Sequence, residues 1–182
     1  MVDNASQGPA SWLRAALQML RSEGIEAVRI ERVARALGVT KGSFYWHFRD
    51  HDALLAAMLA EWERRAGRAF LDRLDAASAD PVERLRLLFE TVIREGRGAL
   101  DPAIRAWALH DVRAGEALAR VDRLRLDWLD GLFREAGFGP ADSLVRSRLA
   151  YFALLGEHGL KSAEDLAERL GFAKKSLQLL TR

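Results

Sequence analysis

The side chains best suited to chemistry lie close together between Gly38 and Phe48, in the segment GVTKGSFYWHF. This segment carries one lysine, two aliphatic hydroxyl groups and, with His47 included, five rings. A helix buries only one stripe of such a run against its own protein, so several of these groups must meet solvent or a partner. Lysine and hydroxyl groups donate to phosphates, and serine or histidine reaches base edges in the major groove. The residue types therefore favour contact with DNA.

The rings can be assigned to faces of one short helix. Thr40 is a suitable N-cap for a helix that runs roughly through Phe48. Phe44 and Phe48 then stand at i and i+4, so they share one face and are predicted to pack inward. The side chains predicted to face outward or to lie at the rim are Lys41, Tyr45, Trp46 and His47. For Trp46 the alternative is packing against the following helix.

The preceding residues supply the rest of a helix-turn-helix. An apolar stripe at helical spacing covers Ile30, Val33, Ala34 and Leu37 and ends at Gly38. A glycine suits that position because the chain must turn sharply there, usually with positive φ. This helix, the turn and the helix that begins at Thr40 form the expected motif.

The rest of the chain has helical periodicity and no sustained strand-like alternation. The pattern predicts an all-α protein of about nine helices, three short ones followed by about six longer ones. All four prolines fall at predicted helix starts, at positions 9, 81, 102 and 140. The fourth helix is expected to run from Asp50 to about Leu74. The predicted domain boundary lies near residue 50 and divides the chain into 1–50 and 51–182.

Composition narrows the protein class. Of the 182 residues, 49% are hydrophobic and 30% charged, which suits a globular protein. There is no cysteine, so disulfides and thiolate metal sites are excluded. The longest strongly apolar run, Ala53–Ala60, is eight residues, whereas a membrane helix needs about 20. No signal peptide is recognisable, so we expect a cytoplasmic protein. The net charge of +2 lies entirely within residues 1–50.

Residues 13–62 resemble the N-terminal domain of the TetR family of transcriptional regulators. The likeness is carried by Ala34, the segment from Leu37 to Phe48 and the pair Leu54-Leu55. It implies an all-α homodimer whose third helices enter the major groove of a palindromic double-stranded DNA operator. Residues 51–182 would then form a helical ligand-binding and dimerisation domain, and a small-molecule effector would release a repressor from its operator.

The resemblance also implies which residues meet DNA. The family's DNA-contacting helix aligns with Thr40, Lys41, Ser43, Tyr45, Trp46 and His47. Two positions depart from the family pattern. Arg29 stands where threonine is frequent, and it is expected to meet a phosphate instead of capping the second helix. His51 stands where lysine is usual, so its phosphate contact should be weaker or pH-dependent, with Arg49 as compensation.

The effector site is predicted from rings on helices of the larger domain that are expected to converge. Apolar pockets with a few polar tips are typical of small-molecule sites. The alternative is that these rings are ordinary core. The predicted effector residues are Phe89, Trp107, His110, Trp128 and Tyr151.

Catalysis finds no support in the sequence. The four histidines show no metal-ligand spacing beyond His47 and His51, and the helix break between those two argues against a shared metal. We therefore expect no enzyme activity, no metal and no cofactor. An alternative stays open: a helical small-molecule-binding or enzymatic protein whose helix-turn-helix is only an interaction surface.

The pattern of the helix-turn-helix is repeated once within the chain. Ala-x-x-Leu-Gly-x-x-Lys-x-Ser occurs at residues 34–43 and again at 167–176. The second copy lacks the tyrosine, tryptophan and histidine. We expect residues 163–180 to form a terminal helical segment near a dimer interface. The alternative is a second helix-turn-helix.

Overall fold

The computed structural model describes residues 8–160 and 164–182, and this part of the chain is helical with no strand. A short 3₁₀ turn covers Ile25–Ala27. The ten α-helices are α1 (Pro9–Glu23), α2 (Ile30–Leu37), α3 (Lys41–Phe44), α4 (His51–Ala66), α5 (Arg68–Ala77), α6 (Pro81–Glu95), α7 (Asp101–Ala108), α8 (Val112–Glu135), α9 (Pro140–Gly159) and α10 (Leu166–Leu180). The all-α prediction is confirmed.

The expected count of about nine helices is one fewer than the described chain contains. The fourth predicted helix divides into α4 and α5, because Gly67 adopts an extended conformation between them. The predicted helix starts at prolines are confirmed. Pro81 follows Asp80, whose side chain accepts a hydrogen bond from the Val82 amide at 2.9 Å. No helix in the described residues is both long enough and apolar enough to cross a bilayer.

Packing divides the chain into two compact units. The first contains the described residues up to Glu63 together with Ala103–Leu118. The second contains Arg64–Pro102 and the described residues of Ala119–Arg182. Residues 51–63 of α4 therefore belong to the first unit, and their stripe of Leu54, Met58 and Trp62 is buried. The functional boundary near residue 50 stays a prediction.

The first unit is built around the N-terminal helices. The apolar stripe of α1 is fully buried at Trp12, Ala16 and Leu20. Gly38 ends α2 with φ 69°, a left-handed conformation that side chains resist. Since α2 and α3 are joined by that turn, the helix-turn-helix predicted from the sequence is present.

The second unit has one contiguous core from α5, α6, α8, α9 and α10. Its members include Leu85, Phe89, Leu129, Tyr151 and Leu177. A capping box starts α10: Asp165 accepts from the backbone of Ala167 and Glu168, and the Glu168 carboxylate accepts from the amide of Asp165. This core fixes the long helices that follow α4.

The second copy of the repeated pattern does not form a helix-turn-helix. Residues 166–180 are one continuous helix that passes through Gly171 without a turn, and the predicted start at Ala163 lies outside the described residues. The buried residues Ala173, Leu177 and Leu180 lie at i, i+4 and i+7 and hold the helix against the second core. The alternative of a second helix-turn-helix is therefore wrong, and the dimer-interface role stays a prediction.

Candidate nucleic-acid interface

The two inward phenylalanines anchor the candidate interface. Phe44 is fully buried and Phe48 is 8% exposed, as the helical spacing predicts. The Phe44 ring lies 5.3 Å from Trp12 of α1, edge-on, and 5.4 Å from Phe48, stacked. Such aromatic contacts add stability beyond the buried area. They fix the rotation of α3 about its axis, and hence which side chains can face outward.

Helix α3, which is predicted to carry the DNA contacts, is shorter than expected. It ends at Phe44 instead of continuing through Phe48, and residues 45–47 form a turn. One more helical hydrogen bond follows, from the Phe48 amide to the Phe44 carbonyl at 3.0 Å. The chain must leave the helix here because Asp50 starts α4, accepting from the Ala53 amide at 2.8 Å.

The remaining rings of the segment point into solvent. Tyr45 is 55% exposed and Trp46 is 87% exposed, and His47 is exposed as well. Tyr45 also rests edge-on against Phe44, with ring centroids 5.2 Å apart. The alternative for Trp46, packing against α4, does not hold at this exposure. Three adjacent rings are therefore available to a partner on the outer side of the helix-turn-helix.

The two hydroxyl groups of the segment differ in the hydrogen bonds that they make. Ser43 donates its hydroxyl hydrogen to the Thr40 carbonyl at 2.8 Å. Thr40 occupies the N-cap position of α3, but its side chain makes no capping hydrogen bond. The Thr40 hydroxyl is therefore not required by its own helix, whereas a base contact by Ser43 would compete with an existing bond.

The cations predicted to meet phosphates are exposed, and each has an internal partner. Lys41 donates to Glu31 at 2.5 Å, and Arg49 donates to Asp50 at 2.7 Å. The hydrogen bond between Lys41 and Glu31 raises the pKa of the lysine and lowers the pKa of the glutamate. Arg29 donates to the Glu26 carbonyl at 3.2 Å and provides no side-chain cap for α2. Lys41 and Arg49 are thus each paired with a carboxylate, whereas Arg29 is held by a neutral carbonyl group.

His51 has a role that the sequence did not reveal. Its Nε2 lies 2.7 Å from the Val28 carbonyl oxygen. A carbonyl only accepts, so Nε2 carries the hydrogen and donates, which leaves Nδ1 as an acceptor in neutral histidine. His51 therefore ties the start of α4 to the chain before α2. A phosphate contact through Nδ1 requires the protonated ring, so that contact stays a prediction.

The five predicted effector residues are divided between the two units. Phe89, Trp128 and Tyr151 are buried in the core of the second unit. Trp107 is 2% exposed in the first unit, and His110 is exposed there. The structure thus brings three of the five into one core, and their effector role stays a prediction.

A buried polar network surrounds Tyr151 and was not predicted. The Tyr151 hydroxyl donates to Asp122 at 2.6 Å and accepts from Arg125 at 3.3 Å. Burial raises the pKa of Tyr151 to about 12. Arg125 also pairs with Asp101 and donates to the Ala66 carbonyl at 3.4 Å. One feature of the sequence could have indicated this network: Arg125 lies four residues after Val121 and three before Trp128, within the apolar stripe of α8.

Comparison with known proteins agrees with this geometry. Residues 13–58 match the family of bacterial regulatory proteins called the tetR family. The chain is 31% identical over 93 residues to the HTH-type transcriptional regulator AcrR of Shigella flexneri, a match covering 48% of this chain and 43% of AcrR. It is 42% identical over 57 residues to the class A tetracycline repressor protein from transposon 1721 of Escherichia coli, covering 29% of this chain and 26% of the repressor. The matches thus span less than half the length of these curated relatives.

The fold continues beyond the matched segment. A TetR-family transcriptional regulator from Streptomyces coelicolor, SCO4454, superimposes with a TM-score of 0.75 over 98% of this chain and 92% of its own. At 20% identity, that likeness concerns the fold alone. The tetR-family match thus covers residues 13–58, the segment that holds the helix-turn-helix, and the likeness of the longer chain to SCO4454 is one of fold.

Proposed function

We propose that this chain is a cytoplasmic transcriptional repressor, not an enzyme, that binds a palindromic DNA operator as a homodimer and is released by a small-molecule effector. The observation that carries the proposal is the outward display of Tyr45, Trp46 and His47 immediately after a fully buried Phe44. Tyr45 also packs edge-on against Phe44, yet all three adjacent rings remain exposed. Contact with a nucleic acid would account for that exposure.

Contact with DNA divides into positioning and readout. Lys41, Arg29 and Arg49 neutralise phosphates and fix the register of the protein on the duplex. Thr40, Ser43, Tyr45 and His47 meet base edges in the major groove, and Trp46 contacts the adjacent backbone. His51 supports this surface through Val28 and reaches a phosphate only when its ring is protonated.

Dimerisation is supported by apolar side chains that the second unit leaves exposed. On α9 the residues Val145, Leu149 and Phe152 share one face and are between 52% and 60% exposed. On α10 Phe172 and Leu179, seven residues apart, are 57% and 72% exposed. Contiguous exposed apolar faces mark interfaces. A symmetric dimer through these faces presents two recognition segments, which must stand about 34–36 Å apart to enter successive major grooves.

Effector release needs a difference in affinity between two conformations. A ligand bound among Phe89, Trp128 and Tyr151 can prefer a conformation in which the two recognition segments do not fit successive major grooves. Such a ligand weakens operator binding, typically by about 1–3 kcal/mol. One relative is named as a tetracycline repressor, which supports both repression and a small-molecule effector. Trp107 and His110 stay separate effector candidates on the first unit.

Operator selection from a random duplex pool tests the proposal directly. We expect the purified protein to recover a palindrome with half-sites one helical turn apart, because two symmetric recognition segments read the same sequence twice. Recovery of no palindrome removes the proposed function. Anisotropy with a random duplex at two salt concentrations tests the alternative of a mere interaction surface, since DNA binding must weaken as salt rises.

A further inference from the structure

Lys41, the proposed donor to a DNA phosphate, already forms an ion pair with Glu31. Lys41 is the first residue of α3, and its ammonium contacts the Glu31 carboxylate at 2.5 Å. Both side chains are about half exposed, 51% for Lys41 and 55% for Glu31. The ammonium is therefore accessible from solvent but already holds one anionic oxygen.

A carboxylate and a phosphate compete for the same donor. Each offers anionic oxygens to the lysine at hydrogen-bond distance. When Lys41 turns to a phosphate, the Glu31 carboxylate loses its partner and stands close to a second negative charge. Binding to DNA must therefore replace one ion pair by another and also meet repulsion from Glu31.

We infer that Glu31 is an internal competitor for the phosphate that Lys41 binds, and that it lowers the affinity of the protein for DNA of any sequence. This inference rests on the proposed DNA-binding function. Since the exchange of partners is the same on operator and random DNA, Glu31 weakens both by one common factor. It sets how tightly the repressor holds DNA, and thus how readily an effector releases it, without choosing the sequence.

Glu31 also has a local structural role that an experiment must separate from competition. It lies in the first turn of α2, where a negative charge is favourable, and the N-cap residue Arg29 gives that helix no side-chain hydrogen bond. Glutamine at position 31 keeps the shape of the side chain and removes the charge. Circular-dichroism melting of each variant measures the structural role independently of DNA.

The experiment is a fluorescence-anisotropy titration of a labelled random-sequence duplex with wild type and Glu31→Gln. Because exposed ion pairs are weak, we expect the variant to bind about 1.5- to 5-fold more tightly for each recognition segment. In a Lys41→Gln background the gain should shrink, because only the repulsion between Glu31 and the phosphate remains.

Glu23→Gln is the matched control. Glu23 pairs with Arg32 at 2.6 Å with similar exposure, 46% and 43%, and lies outside the predicted contact set. An equal gain from Glu23→Gln, or from Glu31→Gln without Lys41, means a net-charge effect and overturns the inference. Weaker binding by Glu31→Gln means that Glu31 orients Lys41 and overturns it as well. If wild type binds no duplex, the proposed function itself fails, and the inference fails with it.

Discussion

Residues 34–43 and 167–176 share the pattern Ala-x-x-Leu-Gly-x-x-Lys-x-Ser, yet the first forms two helices joined by a turn and the second lies within a single helix. The glycines mark the difference. Gly38 has φ 69°, while Gly171 lies inside α10 and is not among the positive-φ glycines. The same spacing of residues therefore does not determine the same backbone.

The residues between the shared positions explain the divergence. Three residues after the leucine, the first copy has Thr40 and the second has Ala173. Threonine favours a helix N-cap and alanine favours a helix interior. Ala173 also continues a buried stripe with Leu177, whereas a continued α2 would bring Thr40 or Lys41 toward its core. The turn forms where continuing the helix would bury a polar residue.

The largest expected effect tests the inward residues of the two copies. Phe44→Ala should lower the free energy of unfolding by about 3–5 kcal/mol, because it leaves a cavity beside Trp12 and Phe48. Leu177→Ala, at the equivalent position of the second copy, should cost about 2–5 kcal/mol. Urea unfolding followed by circular dichroism measures both. Trp46→Ala, at an exposed position, should change stability by less than about 0.5 kcal/mol; a large loss there would contradict its outward orientation.

The second expected effect separates the copies by function. Tyr45→Ala should weaken operator binding by about 1–3 kcal/mol or more while the dimer persists, because it removes a major-groove contact from each protomer. Gln178→Ala, its counterpart on α10, should leave binding unchanged. Anisotropy with the selected operator and sedimentation velocity measure affinity and assembly. Normal binding by Tyr45→Ala would show that another face meets DNA.

The third expected effect is a change in stability on replacing glycine by alanine, and it has opposite signs in the two copies. Gly38→Ala should destabilise the protein by about 1–2 kcal/mol, because alanine resists the left-handed conformation. Gly171→Ala should stabilise it by up to about 1 kcal/mol, because alanine is the better helix former and a Cβ there meets no atom within 4 Å. Melting temperatures of the two variants make the comparison. If both substitutions changed the melting temperature in the same direction, the two glycines would share one conformation.

The smallest expected effect concerns the two equivalent lysines. Lys41→Gln should reduce the slope of log affinity against log salt by about 0.9 for each phosphate that the lysine neutralises in the wild type. Lys174→Gln removes the same charge from α10 and should leave the slope unchanged. Random-duplex titrations across a salt series give both slopes. If the two substitutions lower the slope alike, general charge and not position governs binding.

Local patterns predicted the helix-turn-helix well, because its helices bury clear stripes and its turn depends on neighbouring residues. The inward Phe44 and Phe48 followed from helical spacing alone. The end of α3 was placed four residues too late, since Asp50 and α4 decide where the chain must turn. Contacts across many residues were not predictable: His51 meets Val28, and Arg125 meets Tyr151, Asp101 and Ala66.

The sequence by itself determined that this protein is helical, where its helix-turn-helix lies and which two rings are buried within it. These properties depend on periodicity and capping, which act over a few residues. Tertiary structure alone decided that Lys41 is held by Glu31 and that Arg125 pairs with Asp101 and Tyr151. Those outcomes depend on which distant surfaces meet, because a polar group accepts burial only where a partner from another helix satisfies it.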